Sequence, residues 1–407
     1  MENDQSRYYY TTAPGGHNYY QNLYNMFGGK NPLVDSGFAT ISRLGTLAGV
    51  GVLFAFFMQS AVGVLLSFTS LGTLFSTDVF YTHSLNAVLQ VVYTLLPFVI
   101  VYFLNKPADK RRIMDFDFPK SGTLYVLAVA AGLMFCLLGS KLTSVLSVIF
   151  TFSGVEFFAG NEGVEMPSTI PAVIALVINY AILPAMFEEF AFRNVLLQPL
   201  RKFGDWYAIV ATSFCFAILH GNMVQIPFSF IAGIALGYFR VRTGSIWTSI
   251  TIHFLNNLIS VIFSLFVDKN PDMAAFAYSA VTSALILIGF IAFLIFKKNC
   301  NIKLKKDPTA MSKFKTLKRG AYAGTPALVI AMFFSILSSL SLARVTSFFA
   351  VLFMIAGVVI VSHKLYKWLK VTTSETQITQ LKRYKYSKAI VVVATIMVLL
   401  HLISDVG

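Results

Sequence analysis

The chain has 407 residues, 56% hydrophobic and only 12% charged, with a formal net charge of +14. Soluble proteins carry about 25% charged residues, so a soluble globular domain is excluded and a multi-pass membrane protein is expected. The surplus of Lys and Arg then belongs to cytoplasmic loops, and no nucleic-acid partner is expected.

Residues 1–40 are rich in Tyr, Asn, Gly and Gln, and read as a disordered polar tail. Their polarity also gives no expectation of a cleavable signal peptide. Apolar runs follow near 44–70, 85–104, 122–150, 170–198, 207–220, 226–240, 247–267 and 277–296, and then near 324–343, 346–363 and 389–403. A span takes about 17–25 residues. The runs 207–220, 226–240 and 389–403 fall short of that, as tilted or bundle-buried segments do. The fold class expected is all-α: a polytopic transmembrane bundle of about eight spans in a core plus about three C-terminal spans.

Placing the N-terminus in the cytoplasm puts Lys106, Lys110, Arg111, Arg112, Lys120, Arg201, Lys202, Arg240, Arg242 and the basic stretches after Lys297 and Lys364 on the inside. The segments left outside hold mainly Asp78, Glu156, Glu162, Glu165, Asp268 and Asp272. The positive-inside rule favours this orientation in a cell membrane. Four parts are expected: the tail 1–40, a core bundle 41–297, a basic cytoplasmic linker 298–323 and an accessory bundle 324–407. Cys136, Cys215 and Cys300 show no Cys-x-x-Cys spacing, which argues against a disulfide framework or a thiolate metal site.

The chemistry-bearing residues sit inside apolar runs. Glu188 and Glu189 stand side by side, with Arg193 one turn on. Bare charge in hydrocarbon costs roughly 2.5–3.5 kcal/mol per residue on insertion scales, so intramembrane ionisable groups are functional candidates. Glu189 and Arg193 are i,i+4 and read as an ion pair closed by the planar guanidinium. Glu188 points about 100° away. Without that partner it suits a general base, although both carboxylates could serve as packing glue. Pro184 frees a helical carbonyl, which either opens a wall to water or is an ordinary transmembrane proline.

Phe216 precedes His220 by one turn and is placed to hold its ring by packing. His220 on its own reads equally as a core or interfacial histidine. His253 and Asn257, again i,i+4, project from one helix face. That spacing fits either an oxyanion hole or hydrogen-bonded helix packing. By the helical rise, Glu188 lies about 15 Å and His253 about 9 Å from the inner helix ends.

The order Glu188-Glu189…Arg193, Phe216…His220 and His253…Asn257, with Gly237-Tyr238 and Arg242-Thr243-Gly244-Ser245-Ile246-Trp247 before the third motif, resembles the CPBP intramembrane proteases. These include the type II CAAX prenyl proteases of the Ras-converting-enzyme type. The resemblance covers residues 170–260 and, loosely, the first three spans. It implies an intramembrane endopeptidase acting on a membrane-associated peptide or protein, CAAX-like or lipidated, within the lipid bilayer. In that reading Glu188 activates water assisted by His220, His253 and Asn257 stabilise the oxyanion, and Glu189 and Arg193 shape the site. A metal-free mechanism is preferred, because no His-Glu-x-x-His spacing exists. Zinc held by Glu188, His220 and His253 is the alternative. A non-catalytic relative acting as an immunity or adaptor protein is the second function considered, and a proton-coupled transporter the third.

Overall fold

The computed structural model describes residues 32–152, 155–157, 166–267, 270–307, 315–341 and 343–345. Helix α1 (Pro32–Ser67) begins inside the stretch expected to be a polar tail. The physical reason is visible in its pattern. Proline is preset for a first helical position, and Phe38, Ile41, Leu44, Ala48, Val52 and Ala55 recur at helical spacing on one buried face. The rest of the expected tail, 1–31, lies outside the described residues.

The next loop is also more ordered than expected. Short α2 (Ser70–Thr77) leads to Asp78, whose carboxylate accepts from the Tyr81 amide at 2.8 Å and starts α3 (Val79–Leu104). Then come α4 (Pro107–Ile113) and α5 (Gly122–Phe152). Helix α6 (Ile170–Phe203) carries the glutamate pair, and α7 (Asp205–Leu219), α8 (Gln225–Thr243), α9 (Ile246–Val267) and α10 (Pro271–Asn299) complete the core. Gly244, left-handed at φ 73°, ends α8 in the manner usual for a helix C-terminus.

Among the described residues six helices, α1, α3, α5, α6, α9 and α10, are long and apolar enough to cross a membrane. With the other apolar helices they make the chain a multi-pass membrane protein. Helix α7 has 15 residues, which at 1.5 Å per residue covers about 22 Å of a hydrocarbon layer about 30 Å thick. It therefore serves as an internal strut and not as a full span. Besides the helices, β1 (Val155–Phe157) pairs antiparallel with β2 (Ala343–Val345). Nothing in the residue pattern signalled this ladder.

After α10 the chain runs to α11 (Lys315–Ala323) and α12 (Pro326–Ser341). The stretch expected to be a linker is bonded to the core. The Lys305 amide donates to Asp205 Oδ2 at 2.7 Å, and Lys305 returns its carbonyl to the Asp205 amide at 3.1 Å. Buried Lys318 donates to Asp307 Oδ2 at 2.6 Å and to the Phe203 carbonyl at 3.2 Å. Tyr322, Leu328 and Ala331 share one apolar core with α1, α6 and α7. The described part of the expected accessory bundle thus packs into the core, because α1 presents Gly45 and Gly49 to it. The spans expected at 346–363 and 389–403 lie outside the described residues.

A Cβ added at Gly45 meets the Tyr322 carbonyl oxygen, and one at Gly49 meets the backbone of Ala327 and Leu328. Backbone cannot yield as a side-chain tip can. Gly45→Ala and Gly49→Ala are each expected to destabilise the fold by about 1–3 kcal/mol. Thermal unfolding in detergent reads this out, and unchanged unfolding would contradict the close approach of α1 to α11 and α12.

Candidate active site

Helix α6 is continuous from Ile170 to Phe203, but its hydrogen bonding shifts twice. Residues Ile178–Ile182 and Phe190–Leu196 form π-turns on either side of Leu183–Glu189. In the first, the Leu183 amide bonds to the Ile178 carbonyl, five residues back. Pro184 comes next and has no amide to offer. The helix expected to open at Pro184 instead widens by one residue just before it. Such bulges are frequent at functional sites.

The glutamates therefore face neighbouring helices from a reset register. Arg193 Nε lies 3.1 Å from Glu189 Oε2, with both side chains fully buried. The expected pair is present, but it uses Nε alone and is no bidentate fork. The guanidinium instead lies over the Phe216 ring, 4.6 Å from its centroid. A desolvated cation on an aromatic face gains about 2 kcal/mol or more. Glu189 has a second partner, with its Oε1 3.1 Å from His253 Nδ1. One carboxylate thus ties α6 to α9 and compensates the buried arginine.

These contacts decide tautomers. An ionised carboxylate only accepts, so His253 Nδ1 carries the hydrogen and its Nε2 is turned toward Glu188, 3.9 Å from Oε2. His220 caps the end of α7, and its Nδ1 lies 2.8 Å from the Phe216 carbonyl. A carbonyl only accepts too, so the His220 Nε2 is left as the available nitrogen. Phe216 stands between the two rings, edge-on to His220 at 4.9 Å and to His253 at 5.9 Å. The expected packing of Phe216 on His220 is therefore found, together with two contacts that spacing did not reveal. Among the described residues no direct hydrogen bond joins Glu188 to His220. After His220 the chain turns through Gly221 at φ 56°, a conformation that favours glycine.

Glu188 is the more open of the two glutamates, with its side chain 17% exposed against 0% for Glu189. An acid that must meet water is partly open, while the acid that organises the site is sealed.

Asn257 departs from its expected place. Its Nδ2 donates to the Tyr180 carbonyl at 3.1 Å, and its Oδ1 accepts from Asn256 at 3.2 Å. The Tyr180 carbonyl lacks an α-helical donor because the amide four residues on would be that of Pro184. In this structure Asn257 and His253 are thus engaged by α6 rather than offered as a free oxyanion hole. The proposed zinc set is not assembled either: among the described residues no group of three His, Cys, Asp or Glu is arranged to hold a metal ion.

Beyond the motifs, Arg240 is buried against α6. It donates to Asn194 Oδ1 at 3.3 Å and to the Asp115 carbonyl at 3.4 Å. The Asp115–Phe118 segment is further held by Ser245 on the Asp117 carbonyl at 2.7 Å and by Trp247 Nε1 on the Phe116 carbonyl at 3.0 Å. Phe118 stacks on Trp247 at 5.0 Å. Sequence reasoning missed this clasp.

Residues 170–259 match the family model described as type II CAAX prenyl endopeptidase Rce1-like. The membrane bundle and the Glu–Arg, Phe–His and His–Asn motifs agree with that match, and this segment is similar to that family, as its motifs suggested. All three motifs fall within the matched residues. Searches of the curated proteins and of the solved structures gave no match.

Proposed function

We propose that the chain is an intramembrane endopeptidase in which Glu188 is the general base. The observation that carries this reading is the pairing of a partly open carboxylate, Glu188, with the inward Nε2 of His253 at 3.9 Å, beside a sealed Glu189–Arg193 pair. Water placed between Glu188 and the free Nε2 of His220 gives its proton to Glu188 as its oxygen attacks the peptide carbonyl. The carbonyl oxygen becomes an oxyanion. Protonated Glu188 then returns the proton to the departing amine, which balances the hydrolysis.

Glu189 orients His253 through Nδ1, so that a His253 that has taken a second proton from solvent before the attack presents Nε2–H to the developing charge and keeps that proton through the cycle. The second Nδ2 hydrogen of Asn257 is the other candidate donor. Arg193 keeps Glu189 ionised and the imidazole aligned. This assignment needs no metal.

The substrate class is a membrane-associated peptide or protein, CAAX-like or lipidated, cut from the cytoplasmic side of a cell membrane with the N-terminus inside. The test is cleavage of lipidated reporter peptides by purified chain in liposomes, with bound metal counted and activity re-measured after chelation. Proteomics of cells carrying the native chain or Glu188→Gln then names the substrate. Hydrolysis that is equal in both would end the assignment. Stoichiometric metal whose removal stops turnover would replace the metal-free mechanism.

A further inference from the structure

The first π-turn of α6 leaves two carbonyls without backbone donors. Asn179 O loses its α-helical partner because the Leu183 amide has gone to Ile178 O. The amide one residue further on would be that of Pro184, which has none. Tyr180 O loses its donor to the same proline. Both are covered by side chains from different helices. Gln90 of α3 donates its Nε2 to Asn179 O at 2.6 Å and to Asn179 Oδ1 at 2.6 Å. Asn257 of α9 donates to Tyr180 O. Gln90 is 7% exposed and Asn179 2%. Uncovered carbonyls at this depth would be costly, and the turn would revert to α-helix or open.

The turn sets the orientation of the helical segment immediately after it. One residue of an α-helix corresponds to about 100° of rotation. Removing the extra residue would rotate the Leu183–Glu189 segment by that angle relative to Ile170–Val177. The face that meets His253 would then no longer be that of Glu188 and Glu189.

We infer that Gln90 is a positioning residue for the proposed hydrolysis: with Asn257 it holds the Pro184 π-turn and so sets the direction in which Glu188 points. The inference rests on the protease reading for its kinetic test and on geometry alone for its structural one. Among the described residues Gln90 hydrogen-bonds to Asn179 and to none of the catalytic groups, so its role is separate from theirs.

The kinetic arm compares Gln90→Leu and Gln90→Glu with the native chain on the reporter peptide. Gln90→Leu is expected to lower kcat about 10- to 100-fold with KM nearly unchanged, the scale of a displaced catalytic group. A protonated Glu at this position still donates to Asn179 O, whereas an ionised one does not. Gln90→Glu is therefore expected to be rescued at low pH and to lose activity as pH rises, a limb absent from the native profile.

The structural arm needs no turnover. In a chain with Cys136, Cys215 and Cys300 replaced by Ala, the pair Glu188→Cys and His253→Cys is treated with a short bifunctional thiol reagent. Cross-linking is expected in that background and is expected to fall at least several-fold when Gln90→Leu is added. Native cross-linking and native kcat in folded Gln90→Leu would overturn the inference. An inactive native chain whose cross-linking still depends on Gln90 would sink the protease reading and leave the positioning role standing.

Discussion

Replacing Glu188 with Gln should abolish hydrolysis and leave the fold intact. The amide has the size of the acid but cannot take a proton from water. General-base removal costs about 10²–10⁴-fold. Glu188 is also the one acid of the pair without a buried counter-charge, so its loss should leave thermal unfolding nearly unchanged. The contrasting variant is Glu189→Gln, which weakens the contacts to Arg193 and His253 and should harm folding yield as well as rate. Initial rates and unfolding midpoints measured on both variants check this. Retained cleavage in folded Glu188→Gln would transfer the base role to another group.

The largest stability effect is expected at Arg193. Arg193→Leu leaves Glu189 fully buried with its cation gone, and breaking a buried pair from one side costs about 3–5 kcal/mol. Arg193→Lys keeps the charge but loses the planar cation over Phe216, worth about 2 kcal/mol when desolvated. It should therefore fall between native and Arg193→Leu. The double variant Glu189→Leu with Arg193→Leu removes both charges and should recover much of the lost stability while staying inactive. Unfolding in detergent orders these variants. Equal stability of native and Arg193→Leu chains would mean that the pair contributes little.

The helices of the core were legible because their buried faces repeat at helical spacing, as in Phe38, Ile41, Leu44 and Ala48 of α1. The polar motifs were legible for a related reason, since charge inside an apolar run stands out. Composition nonetheless misplaced the start of α1, because residues 32–40 look polar to a window although Phe38 among them begins the buried face of the helix. The π-turns could not be read. The first lies against Pro184 and against Gln90 and Asn257, donors contributed by distant helices. The same holds for the Arg240–Asn194 contact and for the β1–β2 ladder, which joins backbone segments far apart in the chain. Asn257 shows the limit most sharply. Its spacing from His253 fitted an oxyanion donor and, slightly better, helix packing, and the spacing could not show that the Tyr180 carbonyl takes one of its hydrogens.

Gly221, the turn residue after His220, faces Ser338 of α12, where an added Cβ would come to 2.9 Å from the serine Oγ. The imidazole at the end of α7 is thus buttressed by a helix lying well beyond the homologous stretch 170–259. A shortened version ending at α10, attractive for expression because it retains every signature motif, would leave that turn without its backstop and bare the glycine-lined side of α1 to lipid or detergent. Any minimal catalytic unit engineered from this chain should therefore extend at least through Ser341.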